Sequence, residues 1–262
     1  MGNDTQVVPI SIITRSYRTS ELKDLASYLE RNHEVETEVI AMCNMNDCDL
    51  DGTVLILENS NRFKARITGI KNAQFDKILF LDSDQIPEGG LLSELDDRNE
   101  DMVIIPEKSL NIGFVAKCLD DWRTRNENYA RKNISPYVPV VPRLYKKGPL
   151  IRAIGKLPDS VYKIISHEDS IPYYETFKIT QNVGFSTKLI YNKDPSFIKL
   201  LHKAFLYGRF SKSAKDQNLP PDISSLLHEL DKNSVNIREL GIGKGYLIQV
   251  PRAFAYEFGR IL

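Results

Sequence analysis

Two aspartates separated by one residue, Asp82-Ser83-Asp84, follow directly on Lys77-Ile78-Leu79-Phe80-Leu81, a run too apolar for a sheet edge. Carboxylates at the C-terminal end of a central strand stand where open α/β sheets place their ligands. Magnesium or manganese is typically held by one or two carboxylates, with phosphate oxygens filling much of the rest of its shell. Asp82 and Asp84 therefore suit a divalent metal that offsets the charge of a nucleotide diphosphate. An acidic surface turn is the competing reading, and the position behind a central strand is what weighs against it.

A second acidic pair, Glu168-Asp169, follows His167. A carboxylate beside a bound donor can take the proton from an attacking hydroxyl. Acidic residues in the first turn of a helix also favour the positive end of its dipole, so capping is the alternative. An imidazole's unperturbed pKa lies near neutrality, which suits a general base, but a lone histidine beside two carboxylates reads equally well as a group that orients them or faces solvent.

The elements that must position these residues are legible as alternating β and α patterns over the first hundred residues, the signature of a βαβ sheet. Residues 8–13 read as a buried strand, 35–42 as a second and 54–57 as a third. Thr19-Ser20-Glu21 is a helix-start signal, and Leu22, Leu25 and Leu29 then fall on one helical face. Ile67, Ile70 and Ala73 mark a second helix over 63–73, which leads into the central strand at 77–81. A further strand is expected at 102–105 and stops at Pro106. Residues 113–132 read as a helix, and 137–142, with two prolines, as an extended or edge segment. Another helix is expected to begin near Glu168, and a last strand to cover 187–191.

After Pro195 the pattern becomes helical, with Phe197, Leu200, Leu201, Ala204, Phe205 and Gly208 at helical spacing beside Lys199, Lys203 and Arg209. This basic, aromatic stretch could rest on anionic lipid or cover the rest of the chain. The apolar residues Phe254, Ala255, Tyr256, Phe258, Ile261 and Leu262 admit an intramolecular cover, a dimer surface making a homo-oligomer, or a membrane-facing edge.

Thirty-five basic residues balance thirty-five acidic ones, which removes the electrostatic footprint of a nucleic-acid-binding protein. Cys43, Cys48 and Cys118 have no metal-ligand spacing, and an odd count fits a reducing compartment. The N-terminus lacks a signal-peptide pattern, and no apolar run reaches the roughly 18 residues of a membrane span. A cytoplasmic location follows, with peripheral contact at the cytoplasmic membrane face through the C-terminal helices as a variant of it. Neither a nucleophile elbow nor a P-loop is present, and Gly241-Ile242-Gly243-Lys244-Gly245 reads as a flexible turn.

Taken in order, these segments resemble the family 2 glycosyltransferases over about the first 210 residues. Residues 10–18 look like that family's opening strand and first nucleotide-contacting loop. Residues 64–73 are similar to the helix before the metal motif, and Leu79-Phe80-Leu81-Asp82-Ser83-Asp84 is a close match to the motif. Pro142-Arg143-Leu144-Tyr145-Lys146 resembles the segment beneath the acceptor site, His167-Glu168-Asp169-Ser170 the Glu-Asp motif, and residues 188–195 and 200–209 the final strand and its Tyr-Gly-Arg helix. The departures are Cys43 for a base-recognising Asp, Arg18 for Asn, Ile67 for the Asn after Arg66, and Asn192 where many members carry a His that completes the metal or diphosphate site.

The resemblance implies a GT-A fold, a Rossmann-like α/β architecture with a mostly parallel doubly wound sheet, and a helical C-terminal extension. The expected division is a nucleotide-sugar-binding and catalytic domain over 1–195 and helices over 196–262. It implies transfer of a sugar from a nucleotide diphosphate sugar to an acceptor hydroxyl with inversion, the acceptor being a glycan or a lipid-linked molecule. Thr14, Arg15, Arg66, Asp82 and Asp84 would bind donor, Asp82 and Asp84 would hold Mg or Mn, Glu168 and Arg143 would bind acceptor, and Asp169 would be the base. A nucleotidyltransferase is disfavoured because Thr14-Arg15-Ser16-Tyr17-Arg18 contains no glycine. A degenerate transferase acting as a nucleotide-sugar binding or scaffold module is the other alternative, motivated by Cys43, Ile67 and Asn192.

Overall fold

The computed structural model describes residues 9–16, 19–31, 35–43, 53–57, 62–164, 167–215, 219–233 and 243–261. Tyr17, Arg18, Asn44, Cys48 and residues 241–242 lie outside them. The main sheet contains β1 (Ile10–Ser16), β2 (Thr37–Cys43), β3 (Thr53–Leu57), β4 (Lys77–Asp82), β6 (Met102–Ile104), β8 (Leu144–Lys146) and β9 (Val183–Phe185), in the order β3-β2-β1-β4-β8-β6-β9. Strands β3, β2, β1 and β4 run parallel, β8 enters antiparallel to both β4 and β6, and β6 pairs parallel with β9. A smaller sheet joins β5 (Gln85–Pro87), β10 (Ile190–Asn192) and β7 (Glu107–Ser109).

The side-chain period of two divides these central strands between both faces of the sheet. Ile13 of β1, Ile78 and Phe80 of β4, Met102 of β6 and Tyr145 of β8 enter one core cluster. Their neighbours Ile12, Leu79, Leu81, Val103 and Leu144 enter the other. A strand apolar on both faces needs helices on both faces, which is the doubly wound arrangement. Helices α1 (Thr19–Arg31) and α3 (Leu91–Asp97) supply Leu25, Leu91, Leu92 and Leu95 to the second cluster. Helices α2 (Arg62–Asn72), α5 (Lys147–Ile154) and α6 (Ser170–Phe177) supply the first. A Cβ on Gly69 would lie 2.6 Å from Ile13, so α2 sits directly on β1.

Helix α4 (Phe114–Lys132) follows β7. The C-terminal helices are α7 (Phe197–Lys215), α8 (Pro221–Asn233) and α9 (Tyr246–Ile261). Helix α8 buries Ile223, Leu226 and Leu230 in the same cluster as the sheet. Helices α7 and α9 cross at two glycines: a Cβ on Gly208 would stand 1.9 Å from the Tyr256 carbonyl oxygen, and one on Gly259 2.1 Å from that of Phe205. Within the glycine-rich stretch before α9, Gly245 donates its N–H to Asp121 at 3.0 Å and packs against Trp122. Among the described residues no helix is long and apolar enough to cross a membrane.

The last strand lies at Ile190–Asn192, a shift from the expected 187–191. The reason is Glu94 of α3, which accepts hydrogen bonds from the Thr187 N–H, the Thr187 hydroxyl and the Lys188 N–H. Those donors are therefore withdrawn from sheet pairing. Burial would raise the Glu94 carboxyl, but the bonds from Thr187, Arg98 and Lys188 outweigh it and hold it at about 2 against an ordinary 4.5. A carboxylate lowered in the folded state stabilises above its unfolded pKa and stops doing so as pH falls through the folded one. Thermal melts should accordingly show wild type losing stability between about pH 4.5 and pH 2, with Glu94→Gln losing less over that window.

Candidate active site

The site is built at the C-terminal edges of β1 and β4, two adjacent parallel strands from which the chain goes on in opposite directions along the strand order, to β2 after β1 and to β6 after β4. That switch point is where an open α/β sheet leaves a crevice. Thr14 and Arg15 of β1 stand in register with Leu81 and Asp82 of β4. Thr14 is buried, and its hydroxyl has no hydrogen-bond partner. Asp82 closes β4, and a two-residue turn brings Asp84 to an exposed position before β5.

Helix α2 sets Arg62 and Arg66 one turn apart, so both guanidinium groups reach the same carboxylate. Each donates to Asp82 Oδ1 at 3.0 Å. Arg66 is buried, lies 5.8 Å from the centre of the Phe80 ring, and also pairs with Asp169. Arg62 reaches Glu168 at 3.3 Å. Burial alone would raise the Asp82 carboxyl, but Arg62, Arg66 and Arg143 together hold it well below the usual carboxylate range. Asp84 moves the other way, pushed upward by desolvation and by the negative charge of Asp82.

Arg143 stands between the two acidic motifs. Its Nη1 lies 4.0 Å from an oxygen of Asp82 and 4.0 Å from one of Asp169. Its backbone is fixed in the sheet, accepting from the Phe80 N–H at 2.8 Å and donating to the Val103 carbonyl at 3.0 Å. Its side chain donates to Glu107 at 2.7 Å. A hydrogen-bond chain then returns to the first motif. Asn192 donates to Glu107 at 3.0 Å, Gln85 to Asn192 at 2.8 Å, and the Asp82 N–H to Gln85 at 2.9 Å. The Asn192 amide, standing where a metal-binding His was sought, is thus buried and spent on joining the three strands of the small sheet.

Glu168 and Asp169 precede α6 in a turn led by His167, whose φ of 59° is left-handed. That conformation is uncommon for non-glycine residues, although His is among those enriched in it. Glu168 is buried, whereas the Asp169 side chain is 31% exposed. Arg62, Arg143, Glu168 and Asp169 line a cleft of about 330 Å³ whose other walls include Asn126 of α4, Val140, Val141 and Tyr207 of α7. Asn126 is buried and its amide oxygen has no hydrogen-bond partner. Residues 137–139 form a turn and bends rather than the expected extended or edge segment, Val138 donating its N–H to the Ser135 carbonyl at 3.4 Å, and 140–142 join no strand, which leaves Val140 and Val141 to the cleft wall.

Several charged neighbours of the site were not anticipated as such. Arg62 carries a detectable signal, its four-residue spacing from Arg66 on one helix. Lys203 of α7 stabilises the charged forms of both Asp82 and Asp84, yet a lysine on a helix in sequence carries no mark of what it faces. Glu107 lies on a three-residue strand too short to show a period.

Comparison with solved structures shows the same chain path in sugar-nucleotide proteins. A mannosyltransferase from Pyrobaculum calidifontis, in complex with GDP-Man and Mn2+, superposes with a TM-score of 0.57 at 13% identity, over 96% of this chain and 74% of that one. The 1–349 portion of S. aureus TarS in complex with UDP-GlcNAc gives 0.53 at 16% identity, over 95% and 79%. The fold is that of the GT-A glycosyltransferases. Against full TarS the chain covers 44% of the other's length, at 15% identity and a TM-score of 0.53. No protein-family model matches the sequence, and no curated protein does.

The site's chemistry can be tested for a divalent metal. Among the described residues no group of three His, Cys, Asp or Glu side chains could hold one alone. Asp82 already accepts from two arginines, whereas Asp84 is bonded to no such cation among the described residues and its carboxyl is raised by desolvation and by the negative charge of Asp82. A hard oxygen donor in that electrostatic position fits Mg or Mn whose shell is completed by phosphate oxygens.

Proposed function

We propose that this chain is a glycosyltransferase moving a sugar from a nucleotide diphosphate donor to an acceptor hydroxyl, with inversion and with a divalent metal. One observation carries the reading: Asp82 of the first acidic motif and the Glu168-Asp169 pair, far apart in sequence, are joined through the same three arginines, Arg62, Arg66 and Arg143, at a cleft that Arg62, Arg143, Glu168 and Asp169 line. Thr14 and Arg15 border the nucleotide side of the crevice. Arg62 and Arg66 carry the positive charge that a diphosphate requires. Asp84 would hold the metal, which when bound would neutralise charge on the departing diphosphate.

Across the cleft, Asp169 accepts the proton of the acceptor hydroxyl as that oxygen bonds to the anomeric carbon. The bond between that carbon and the diphosphate oxygen breaks in the same displacement, and the leaving charge falls beside Arg62 and Arg66. Glu168 and Arg143 orient the acceptor, a glycan or lipid-linked molecule. Because Asp169 is engaged by Arg66, the pair must open as substrates enter, Arg66 turning toward phosphate.

That same pairing favours one second reading, a donor-binding module without transfer. Calorimetric titration of UDP-, GDP- and dTDP-sugars with manganese or EDTA separates the outcomes. Metal-dependent binding of one donor, at least about tenfold weaker in Asp84→Ala, is expected. Binding that is indifferent to both metal and Asp84 would sink the metal assignment. Binding without release of nucleoside diphosphate in the presence of candidate acceptors would leave the non-catalytic module.

A further inference from the structure

We infer that α9, the β7–α4 loop and the first turn of α7 form one docking face for an anionic lipid bilayer. Leu247, Val250, Phe254, Phe258 and Ile261 of α9 are all exposed, Phe254 by 74%. At about 100° per residue their spacing confines them to an arc of roughly 80° on the helix. The opposite side of α9 buries Ile248 and Gly259 against its neighbours, so the stripe points outward as a single ridge.

Two other elements extend that ridge. Cys118 and Leu119 of α4, Leu200 of α7 and Ile248 of α9 form a single buried cluster with Val115 and Phe197 packed on it, which gathers the first turns of all three helices. Beside its members stand Phe114, Ile198 and Leu247, exposed by 63%, 78% and 58%. Ile112, exposed by 98%, leads into α4 from a loop pinned by Asn111, whose amide donates to the Asp194 carbonyl at 2.7 Å. A solvent-exposed isoleucine and phenylalanine on a pinned loop have no role in the cleft.

Charge selects the occupant. Each element adds an exposed lysine close to its apolar residue: Lys117 one turn after Phe114, Lys199 next to Ile198, and Lys244 just before Leu247. The nearby acidic residues of α4 are already engaged, Asp120 by Arg123 and Asp121 by Arg125. Apolar residues that enter the acyl boundary beneath a ring of lysines match an anionic headgroup surface. A second copy seated on this same face would bring its own three lysines into the shared interface, where Asp120 and Asp121 are already paired.

The test is co-sedimentation of the whole chain with vesicles of phosphatidylcholine alone or with 30% phosphatidylglycerol, about that fraction giving a strongly negative surface. Partitioning at least about tenfold stronger onto the anionic vesicles, weakened by raised salt, is expected. It should be lost in Ile112→Ser/Phe254→Ser and reduced in Lys117→Glu/Lys199→Glu. Neither pair touches the cleft, and circular-dichroism melts that match wild type show the variants folded. Equal partitioning onto both vesicles, or none onto either, overturns the inference. So does a concentration-dependent dimer by light scattering that the serine variant abolishes without any vesicle binding. Donor titration on the same samples keeps this outcome separate from that of the transferase reading.

Discussion

Asp169→Asn is expected to lower turnover by about 10²- to 10⁴-fold, the usual worth of a positioned general base, while donor affinity changes little. Asn keeps the shape of the side chain and its place on the cleft wall, but its amide cannot take the acceptor proton. The asymmetry between the two measurements carries the argument. Asp169 lines the cleft from the turn before α6, and Arg66 and Arg143 connect it to Asp82. Release of nucleoside diphosphate, followed with the donor that calorimetry identifies, gives kcat; calorimetry on the variant gives donor affinity. Turnover equal to wild type would remove Asp169 from the chemistry and move attention to Glu168.

Arg66→Met should be the most damaging single change to stability near the site. Removing one partner of a buried ion pair typically costs about 3–5 kcal/mol, because the remaining charge is left uncompensated. Here Asp82 keeps Arg62 and the Asp169 side chain is 31% exposed, so roughly 2–3 kcal/mol is expected. For a chain of this size that is a fall of about 5–10 °C in Tm. The sign of the pH dependence follows from Asp82, whose carboxyl lies below its ordinary 3.8. Its contribution is present above that value and lost as pH falls beneath it, so the gap between wild type and variant should be full at pH 7 and narrow below about pH 3.8. A gap that stays constant to low pH would assign Arg66's role to packing against the Phe80 ring rather than to charge.

The parts of this fold visible in the sequence are those where burial writes a long pattern. Strands β1 and β4 are apolar on both faces because helices cover both, and they show as apolar runs, broken in β1 only by Ser11, that end in Thr14-Arg15 and Asp82. Helix α2 shows through Ile67 and Ile70, and α7 through its apolar repeat. Strands β5, β7 and β8 span three residues each, too few for a period of two to be told from chance. Their pairing is decided by distant partners, and the site depends on it: β7 brings Glu107, and β8 follows directly on Arg143. Asn192 illustrates the limit from the other side. Its departure from the expected His is plain in the sequence, but its bonds to Gln85 and Glu107 exist only once β5, β10 and β7 have met.

The placement of β8 has a consequence in time. Among the described residues this strand joins β3-β2-β1-β4 to β6-β9 in the hydrogen-bonded order. Loop closure must be met before non-local pairings repay it. The partners of β8 on β4 lie about as far along the chain as β4 lies from β1, and nearer than β9 lies to β6, so β8 can join as early as β4 joins β1. Arg143 comes in with that strand, so the crevice can gain the group that joins its two acidic turns before the β6-β9 edge is closed.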